Sequence, residues 1–321
     1  MANAMNGNPY VLVTGASGFL GTSLIRSILK NTSYNIFALT RSSISSNSRV
    51  KILENIDLSG KFDITGTLKM VECVIHCAGA AHKKINKSKS EEYYYRNNVV
   101  ATEELFKQSV KAKVKHFIYI SSIGVNGSTT KDRPFHSSDL SQPHNDYAFS
   151  KLKAENKIMN LSSKSNVLTK YTIVRPPLIY GKNAPGNFGL LLKFSEYNIP
   201  LPASLNSNKR AFIYIENLTD FLIKIILNTK AYEKTFLVSD RNDISTLSLI
   251  KLIKKPKRKS VYTFCFPRRL IGLTFILLGK KSMFNQLFSN LEMNIEDTIS
   301  ATDWTPIYSI EEAIKEIVET N

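Results

Sequence analysis

The chain has 321 residues, enough for one large domain or for a domain with a second lobe, and its 43% hydrophobic and 21% charged residues are typical of a soluble globular protein. The formal net charge of +17 favours anionic partners such as nucleotides, nucleic acid or an anionic membrane surface. No arginine-rich cluster with interleaved aromatic residues indicates nucleic-acid recognition, so we expect no nucleic-acid partner.

A glycine-rich turn joins the first predicted strand to the first predicted helix. Apolar residues form a buried-strand pattern at Tyr10–Val13 and recur at helical spacing in Leu20–Lys30. Between them Gly15 allows a tight turn, Gly18 allows a pyrophosphate to approach the backbone, and Gly21 allows close helix packing. Strand, glycine turn and helix together predict a dinucleotide bound at the helix N-terminus; an ordinary strand-to-helix turn is the alternative.

The second predicted strand, Ile36–Thr40, ends where an acidic residue would bind the adenosine ribose of NAD. Thr40 and Arg41 stand there without a carboxylate, and the guanidinium with the Ser42 hydroxyl suits a 2′-phosphate. We therefore expect NADP(H) to be favoured over NAD(H), with use of both left open. A solvated loop arginine is the alternative.

Small and acidic residues near the next strand ends complete the expected cofactor site. Asp57 is placed to meet the adenine edge, and Cys77, Ala78 and Gly79 permit close approach of a ligand. We expect further strands at Ile52–Leu58, Val71–His76 and His116–Ile120 and one ending at Arg175, with a helix over Asn98–Gln108. The Lys- and Ser-rich segment from His82 to Glu92 predicts a loop, either solvated or bordering the substrate entrance.

Strands alternate with helices from residue 10 to about residue 180. This alternation predicts an α/β fold with a Rossmann-type doubly wound parallel sheet. We expect an NAD(P)-binding domain over 1–181 and a smaller, C-terminal substrate-binding lobe over 182–321, with some crossing of the chain between them.

Three side chains at or after predicted strand ends form a candidate catalytic group. Tyr147 and Lys151 lie one helical turn apart, and Ser122 follows the fifth predicted strand. Hydride transfer between a nicotinamide and a sugar carbon needs a group that moves the hydroxyl proton. Tyrosine, with a pKa of about 10, becomes effective when a neighbouring ammonium lowers that pKa. Ser122 would hydrogen-bond the same oxygen.

With these motifs the chain resembles the extended short-chain dehydrogenases/reductases that modify nucleotide sugars, the group containing UDP-glucose 4-epimerase. The resemblance covers nearly the whole chain and rests on Thr14–Gly21, Asn98–Thr102, Ser121–Gly127, Tyr147 with Lys151, Arg175–Gly181, Lys209–Leu218 and Trp304–Pro306. It implies that Ser122, Tyr147 and Lys151 are a catalytic triad, that Asn98 shapes the cofactor site, and that a homodimer forms through two helices.

The resemblance also assigns contacts to a dinucleotide and to a UDP-sugar. The expected cofactor contacts are Gly15, Ser17, Gly18, Phe19, Leu20, Gly21, Arg41, Ser42, Asp57, Leu58, Cys77, Ala78, Gly79, Asn98, Tyr147, Lys151 and Pro176. The expected substrate contacts are Ser122, Ile123, Asn187 and Arg210, the last two at the nucleotide diphosphate.

Departures from the family pattern bear on the reaction. Asn126 replaces a tyrosine that would neighbour the sugar, and Ala101 replaces a helical glycine. The 4,6-dehydratase branch needs an Asp-Glu pair after the catalytic Ser/Thr, whereas Ile123 and Gly124 stand there and cannot move protons. We therefore expect no dehydratase.

The segment Ser121–Gly127 is more similar to UDP-N-acetylquinovosamine 4-reductases of bacterial O-antigen and capsule synthesis than to the dehydratases. The segments Pro200–Pro202 and Thr235–Asp240 strengthen this similarity. These enzymes reduce a UDP-4-keto-6-deoxy-N-acetylhexosamine. A UDP-hexose or UDP-N-acetylhexosamine 4-epimerase needs the same triad and stays open. A non-catalytic dinucleotide-binding regulator is the third alternative, and the complete triad argues against it.

The second lobe is predicted to hold helices at Phe188–Phe194 and Asn217–Leu227 and a capping box at Ser309–Glu312. Basic residues surround the short apolar helix Leu270–Leu278, which is either packed or seated weakly on an anionic membrane surface.

The expected location of the protein rests on its cysteine content and on the apolar segments of the sequence. Three cysteines are too few for a disulfide framework, and Cys73 and Cys77 lie in an apolar run typical of small buried residues rather than metal ligands. The polar segment Met1–Pro9 has no signal-peptide core, and no apolar run reaches 18 residues. We expect a cytoplasmic protein without a metal.

Overall fold

A parallel sheet forms the centre of the computed structural model, which describes residues 8–42, 45, 47–81 and 86–319. The strands are β1 Tyr10–Thr14, β2 Asn35–Leu39, β3 Val50–Leu53, β4 Val71–His76, β5 His116–Ile120, β6 Lys170–Arg175, β7 Leu178–Tyr180, β8 Leu201–Pro202, β9 Phe212–Tyr214, β10 Lys234–Leu237 and β11 Thr263–Phe264. Within the described ranges seven strands pair in the order β10-β6-β5-β4-β1-β2-β3, every pair parallel. The predicted Rossmann-type fold is confirmed. The strand order reverses between β1 and β4, and ligands bind at such a switch point.

Helices cover both faces of this sheet. They are α1 Phe19–Asn31, α2 Thr65–Leu68, α3 Lys87–Tyr94, α4 Ala101–Lys111, α5 Asp146–Ser162, α6 Asn187–Ser195, α7 Ile215–Lys224, α8 Thr246–Lys254, α9 Arg268–Leu277, α10 Lys281–Phe288, α11 Glu296–Thr302 and α12 Ile310–Glu319. Side chains of β1 alternate between the faces: Val11 and Val13 join one apolar cluster with Leu24 of α1, while Leu12 joins another with Leu105 of α4. Because both faces of the sheet are buried, the strand sequences are nearly continuous apolar runs.

The chain after residue 181 builds a second group of elements and also returns to the sheet. β7 pairs with β9 and β8 with β11, while β10 pairs with β6 at the sheet edge. A separate apolar cluster joins Tyr180 and Phe212 to Ile314 of α12. In the described part of the chain no helix is long and apolar enough to span a bilayer. The domain boundary after residue 181 stays a prediction.

Some predicted element boundaries are confirmed and others are wrong. β4 and β5 have the predicted limits, and the Ser309–Glu312 capping box forms, with the Glu312 amide donating to Ser309 Oγ over 3.3 Å. The third strand ends at Leu53 rather than Leu58, because the backbone turns at Asn55, whose φ is +60°. The segment predicted as a loop is helical from Lys87 onward; its residues 82–85 lie outside the described residues.

The helix predicted from Asn98 begins earlier and differently. The α3 helix continues through a π-helical stretch, Tyr95–Val100, before α4 begins at Ala101. A π-helical turn holds one extra residue per turn and shifts the side chains that follow it. Apolar periodicity alone does not show this shift.

A buried ion pair fastens α5 to β6. Arg175 Nε and Nη2 donate to the two oxygens of Glu155 over 3.0 and 2.6 Å, and only 7% and 1% of these side chains is exposed. Ser121 also donates to Glu155, and Arg175 Nη1 donates to Asn126 Oδ1 over 2.9 Å. Every charged atom of this network therefore has a partner.

Helix α1 packs against the preceding turn with no room for another atom. A Cβ on Gly21 would collide with the Gly15 carbonyl oxygen and come within 2.9 Å of Ala16 Cα. Both obstacles are backbone, which cannot rotate away. Gly21 is therefore required by packing, as the sequence predicted.

Glu155→Gln should lower the free energy of unfolding by about 3–5 kcal/mol, because it leaves the buried Arg175 charge without its counter-ion. Urea unfolding measures this change. The control is Glu72→Gln, which breaks the exposed pair with Lys115 and should cost no more than about 1 kcal/mol. Equal losses in both variants would contradict the interpretation.

Gly21→Ala should reduce the free energy of unfolding by about 1–3 kcal/mol through overpacking against backbone. The matched helical control is Gly66→Ala, since nothing lies within 4 Å of a Cβ there. That control should be neutral or more stable by up to about 1 kcal/mol. Thermal unfolding of both variants decides the matter, and a neutral Gly21→Ala would refute the close packing.

Candidate active site

The glycine turn lies at the carboxyl end of β1 and touches the end of β4. Gly15 has φ +66°, and a Cβ there would lie 2.9 Å from Ala78 N. Thr14 Oγ1 accepts a hydrogen bond from Ala78 N over 3.1 Å and contacts His76 Nδ1 at 2.7 Å. Gly18 precedes α1 without a side-chain cap, so backbone N–H groups at this helix end point toward a ligand position.

A cleft opens beside this turn. Predicted cofactor residues that line it are Gly15, Ser17, Gly18, Arg41, Asp57, Leu58, Cys77, Ala78 and Gly79. It is also lined by Thr40, which stands beside Arg41 after β2, and by residues that were not among the predicted contacts, namely Leu39, Ile56, Ser59, Ala80, Tyr93 and Asn97.

Other predicted cofactor residues support the cleft from behind. Phe19 and Leu20, in the first turn of α1, pack into apolar clusters together with Gly21 below the turn. Ser42 N donates to Thr40 Oγ1 over 3.0 Å, which closes the turn after β2. Pro176 accepts a hydrogen bond from Ile123 N over 2.9 Å.

The far end of the cleft carries one cation and one carboxylate. Arg41 is exposed on its wall. Asp57 lies in the turn after β3, and hydrogen bonds from Ser59 hold the pKa of its carboxyl below the usual value, with smaller effects of burial and of Arg41. No carboxylate of the described chain stands directly after β2, so Arg41 faces this part of the cleft without an acidic neighbour on its own loop.

Helix α5 presents Tyr147 and Lys151 on one face. Asn145 caps it by accepting from Ala148 N over 2.8 Å. Lys151 is 5% exposed; its Nζ donates to the Ile120 carbonyl over 2.8 Å and lies 5.9 Å from the centre of the Tyr147 ring. Burial lowers the pKa of Lys151 to about 8, while the nearby Cys77 and Glu155 act in the opposite direction.

Ser122 and Tyr147 meet across the ends of β5 and α5. Burial raises the pKa of Tyr147 to about 12, and a hydrogen bond with Ser122 opposes the increase. Ser122 Oγ accepts from Gly124 N over 3.1 Å, which fixes the serine at the start of the short turn Ile123–Val125. The structure thus brings together the three residues of the predicted triad.

Asn98 connects the π-helical stretch to this group. Its Oδ1 accepts from Ala80 N over 2.7 Å, and its Nδ2 donates to Ser150 Oγ over 2.9 Å. A Cβ added to Gly79 would lie 3.1 Å from Asn98 Oδ1 and 3.2 Å from Lys151 Nζ. A small residue at 79 therefore keeps the space between the cleft and the lysine open.

Of the two predicted diphosphate contacts, Arg210 is not among the residues that line the cleft. Arg210 Nη1 donates to the carbonyls of Ser289 and Asn285 over 2.9 and 3.4 Å, and burial lowers its pKa to about 10. Arg210 thus holds the end of α10. Asn187 is the first residue of α6.

The structure shows contacts of two further residues near the site that the sequence analysis did not predict. Asn126, 1% exposed, donates through Nδ2 to the His136 carbonyl over 2.9 Å and accepts from Arg175, so it belongs to the buried network beneath Ser122. Tyr94 lies with its ring centre 5.9 Å from that of Tyr147. Neither contact follows from local spacing, although the unusual Asn126 in a family motif was a signal. Across the described residues no group of three or more His, Cys, Asp or Glu side chains is placed to hold a metal ion.

Known proteins are similar to this chain in sequence and in fold. It is 32% identical to a UDP-glucose 4-epimerase of Vibrio cholerae over 312 residues, which are 96% of this chain and 94% of that protein. It is 26% identical to N-acetyl-alpha-D-glucosaminyl-diphospho-ditrans,octacis-undecaprenol 4-epimerase of Escherichia coli O157:H7 over 85% of this chain and 81% of that one. The structure of a UDP-glucuronic acid 4-epimerase from Bacillus cereus in complex with NAD superposes with a TM-score of 0.76 at 20% identity, covering 97% of each chain.

The family model of the NAD dependent epimerase/dehydratase family matches residues 11–238. The match spans the glycine turn, Asn98, Ser122, Tyr147, Lys151 and every strand of the seven-stranded sheet. The chain therefore belongs to the NAD dependent epimerase/dehydratase family.

Proposed function

We propose that this protein transfers hydride at C4 of a UDP-sugar, and that its reaction is the NAD(P)H-dependent reduction of the C4 ketone of a UDP-4-keto-6-deoxy-N-acetylhexosamine. The supporting observation is the group of Ser122, Tyr147 and buried Lys151 beside a cleft with Arg41 on its wall. The relatives from Vibrio cholerae and Bacillus cereus are UDP-sugar 4-epimerases, which supports the substrate class and the reacting position.

The cleft fits a nicotinamide dinucleotide. Gly15 leaves room that a Cβ would fill, the N-terminus of α1 offers N–H groups to a pyrophosphate, and Asp57 and Arg41 stand at the other end. When bound, the dinucleotide supplies the hydride. The solved Bacillus cereus relative holds NAD, which supports a nicotinamide dinucleotide in general, and Arg41 supports NADP(H) in particular.

The protein's own residues provide the proton. Ser122 and Tyr147 hydrogen-bond the oxygen at C4 and hold it in line. With a pKa raised to about 12, Tyr147 is protonated at neutral pH and can donate its proton to the oxygen that becomes a hydroxyl. The Lys151 ammonium, 5.9 Å from the phenol ring, stabilises the phenolate that remains.

The neighbours of Ser122 are unsuited to dehydration. Ile123 is 5% exposed and apolar, and Gly124 offers only a backbone N–H, which already donates to Ser122. Neither can protonate or deprotonate a sugar carbon. This supports hydride and proton transfer at one position without loss of water.

The second candidate is a UDP-hexose or UDP-N-acetylhexosamine 4-epimerase, favoured by the whole-length likeness to the Vibrio cholerae protein. In that reaction Tyr147 would first accept the proton, and hydride would return to the other face of the ketone. The triad is the same for both reactions. A homodimer and a place in bacterial surface polysaccharide synthesis stay predictions.

Substrate assays separate the two candidates. With UDP-4-keto-6-deoxy-GlcNAc and NADPH or NADH, we expect one reduced cofactor to be consumed per product formed, followed by absorbance and by chromatography of the nucleotide sugars. With UDP-GlcNAc or UDP-Gal and no reductant, we expect no 4-epimer. Interconversion of the 4-epimers without net cofactor change would overturn the reductase proposal.

Tyr147→Phe is the control for chemistry in the same assays. It should lower turnover by about 100- to 10,000-fold, since it removes the proton donor, while dinucleotide binding persists. Turnover near the parent rate would show that another group supplies the proton.

Arg41→Ala should weaken NADPH binding by about 10- to 100-fold and leave NADH binding nearly unchanged, because the lost hydrogen bonds serve only a 2′-phosphate. Fluorescence titration with both nucleotides measures the ratio. Lys69→Ala is the control, because this exposed lysine precedes the start of β4 whereas the cleft residues next to this strand follow its end. Parallel losses for both nucleotides in Arg41→Ala would contradict the NADP(H) preference.

A further inference from the structure

Helix α9 carries apolar side chains on two opposite faces. On one face Ile271 and Phe275 turn toward α10, with the Phe275 ring centre 5.8 Å from that of Phe284. On the other face Leu270, Leu273 and Leu277 follow at spacings of three and four residues. These three leucines are 46%, 54% and 86% exposed. The second face therefore has no partner within the described chain.

Neighbouring residues enlarge this exposed apolar face. Leu278, directly after α9, is 69% exposed, and Ile276 is 54% exposed. Just before the helix, Phe264 and Phe266 are 42% and 46% exposed. A group of large exposed apolar residues of this kind marks an interaction site rather than scattered surface residues.

The surrounding sequence is basic without any acidic residue. No Asp or Glu occurs between Asp243 and Glu292, while the same stretch holds ten basic residues: Lys251, Lys254, Lys255, Lys257, Arg258, Lys259, Arg268, Arg269, Lys280 and Lys281. Lys257 and Lys259 pair with Glu196 and Lys254 is buried, so the charge beside α9 comes chiefly from the four basic residues at its ends. Arg268 and Arg269 occupy the first turn of α9, where the helix dipole disfavours cations. The helix dipole thus does not account for their position; Arg268 also lies 5.8 Å from the centre of the Phe284 ring.

We propose that α9 seats this protein on an anionic lipid bilayer. The outer leucines would lie at the boundary between headgroups and acyl chains, while Arg268 and Arg269 at one end and Lys280 and Lys281 at the other meet lipid phosphates. A bilayer supplies the apolar layer and the negative charge together. A second copy of this chain would instead bring two acid-free basic segments into contact, which repel.

The residues of this surface differ from those of the triad and of the dinucleotide cleft. The triad and the cleft involve residues between 14 and 176, whereas this surface involves residues between 264 and 281. The surface can therefore be altered without a substitution in the triad or in the cleft lining.

Vesicle flotation tests the proposal with the full chain. The vesicles contain phosphatidylcholine alone or with phosphatidylglycerol, and we expect binding only to the anionic ones, weakened by salt. Leu277→Ser/Leu278→Ser should reduce binding by at least about tenfold. Its control, Leu140→Ser/Leu168→Ser, replaces two leucines with the same exposures, 86% and 69%, elsewhere on the surface, and should bind like the parent.

Two further variants test the role of positive charge. Lys280→Glu/Lys281→Glu, at the start of α10 where acidic residues are favoured, should also reduce binding by at least about tenfold. Lys69→Glu/Lys164→Glu makes the same charge change at exposed positions elsewhere and should have a small effect. Circular dichroism verifies that each variant is folded.

The proposal is supported if both variants of the α9 surface lose binding to anionic vesicles while both control variants bind like the parent protein. No binding of the parent protein to anionic vesicles, or equal binding of all five proteins, overturns it. A dimer in sedimentation velocity that Leu277→Ser/Leu278→Ser dissociates would assign the face to a second copy and likewise overturn it.

Discussion

A buried lysine without a carboxylate partner is the constraint on which the rest of the site depends. In the described chain no acidic side chain pairs with Lys151, whose Nζ rests on the Ile120 carbonyl at 2.8 Å and 4.8 Å from the Tyr119 ring centre. Glu155, one helical turn further along α5, is fully engaged by Arg175. Glu155 therefore forms no ion pair with Lys151, and the ammonium lies 5.9 Å from the centre of the Tyr147 ring.

The end of β5 serves stability and chemistry with two adjacent serines. Ser121 donates to Glu155 in the buried network, while Ser122 hydrogen-bonds Tyr147 on the side of the cleft. Successive side chains of an extended chain point in opposite directions, so one strand end can do both. Only the peptide unit between Ser121 and Ser122 separates the two interactions. A substitution of Glu155 that moves Ser121 is therefore expected to move Ser122, which bonds Tyr147.

Local patterns were sufficient for the features that depend on local structure. The glycine turn, the limits of β4 and β5, and the spacing of Tyr147 and Lys151 all follow from strand and helix periodicity, and the structure has them as predicted. The end of β3, the π-helical stretch before α4 and the pairing of Asn126 with Arg175 were not predictable. Each depends on backbone conformation or on contacts across 49 residues of sequence.

Burial changes the pKa values of Tyr147 and Lys151 in opposite directions. Burial lowers the pKa of Lys151 to about 8 and raises that of Tyr147 to about 12, so on raising the pH the lysine loses its proton first. Below about pH 8 the phenol is a proton donor beside a cation, which suits reduction of a ketone. Oxidation of an alcohol would need the phenolate at the start, and the cationic nicotinamide of an oxidised cofactor would have to lower the pKa of Tyr147 further. A reductase needs only the first of these steps, whereas an epimerase performs both in turn with the same phenol.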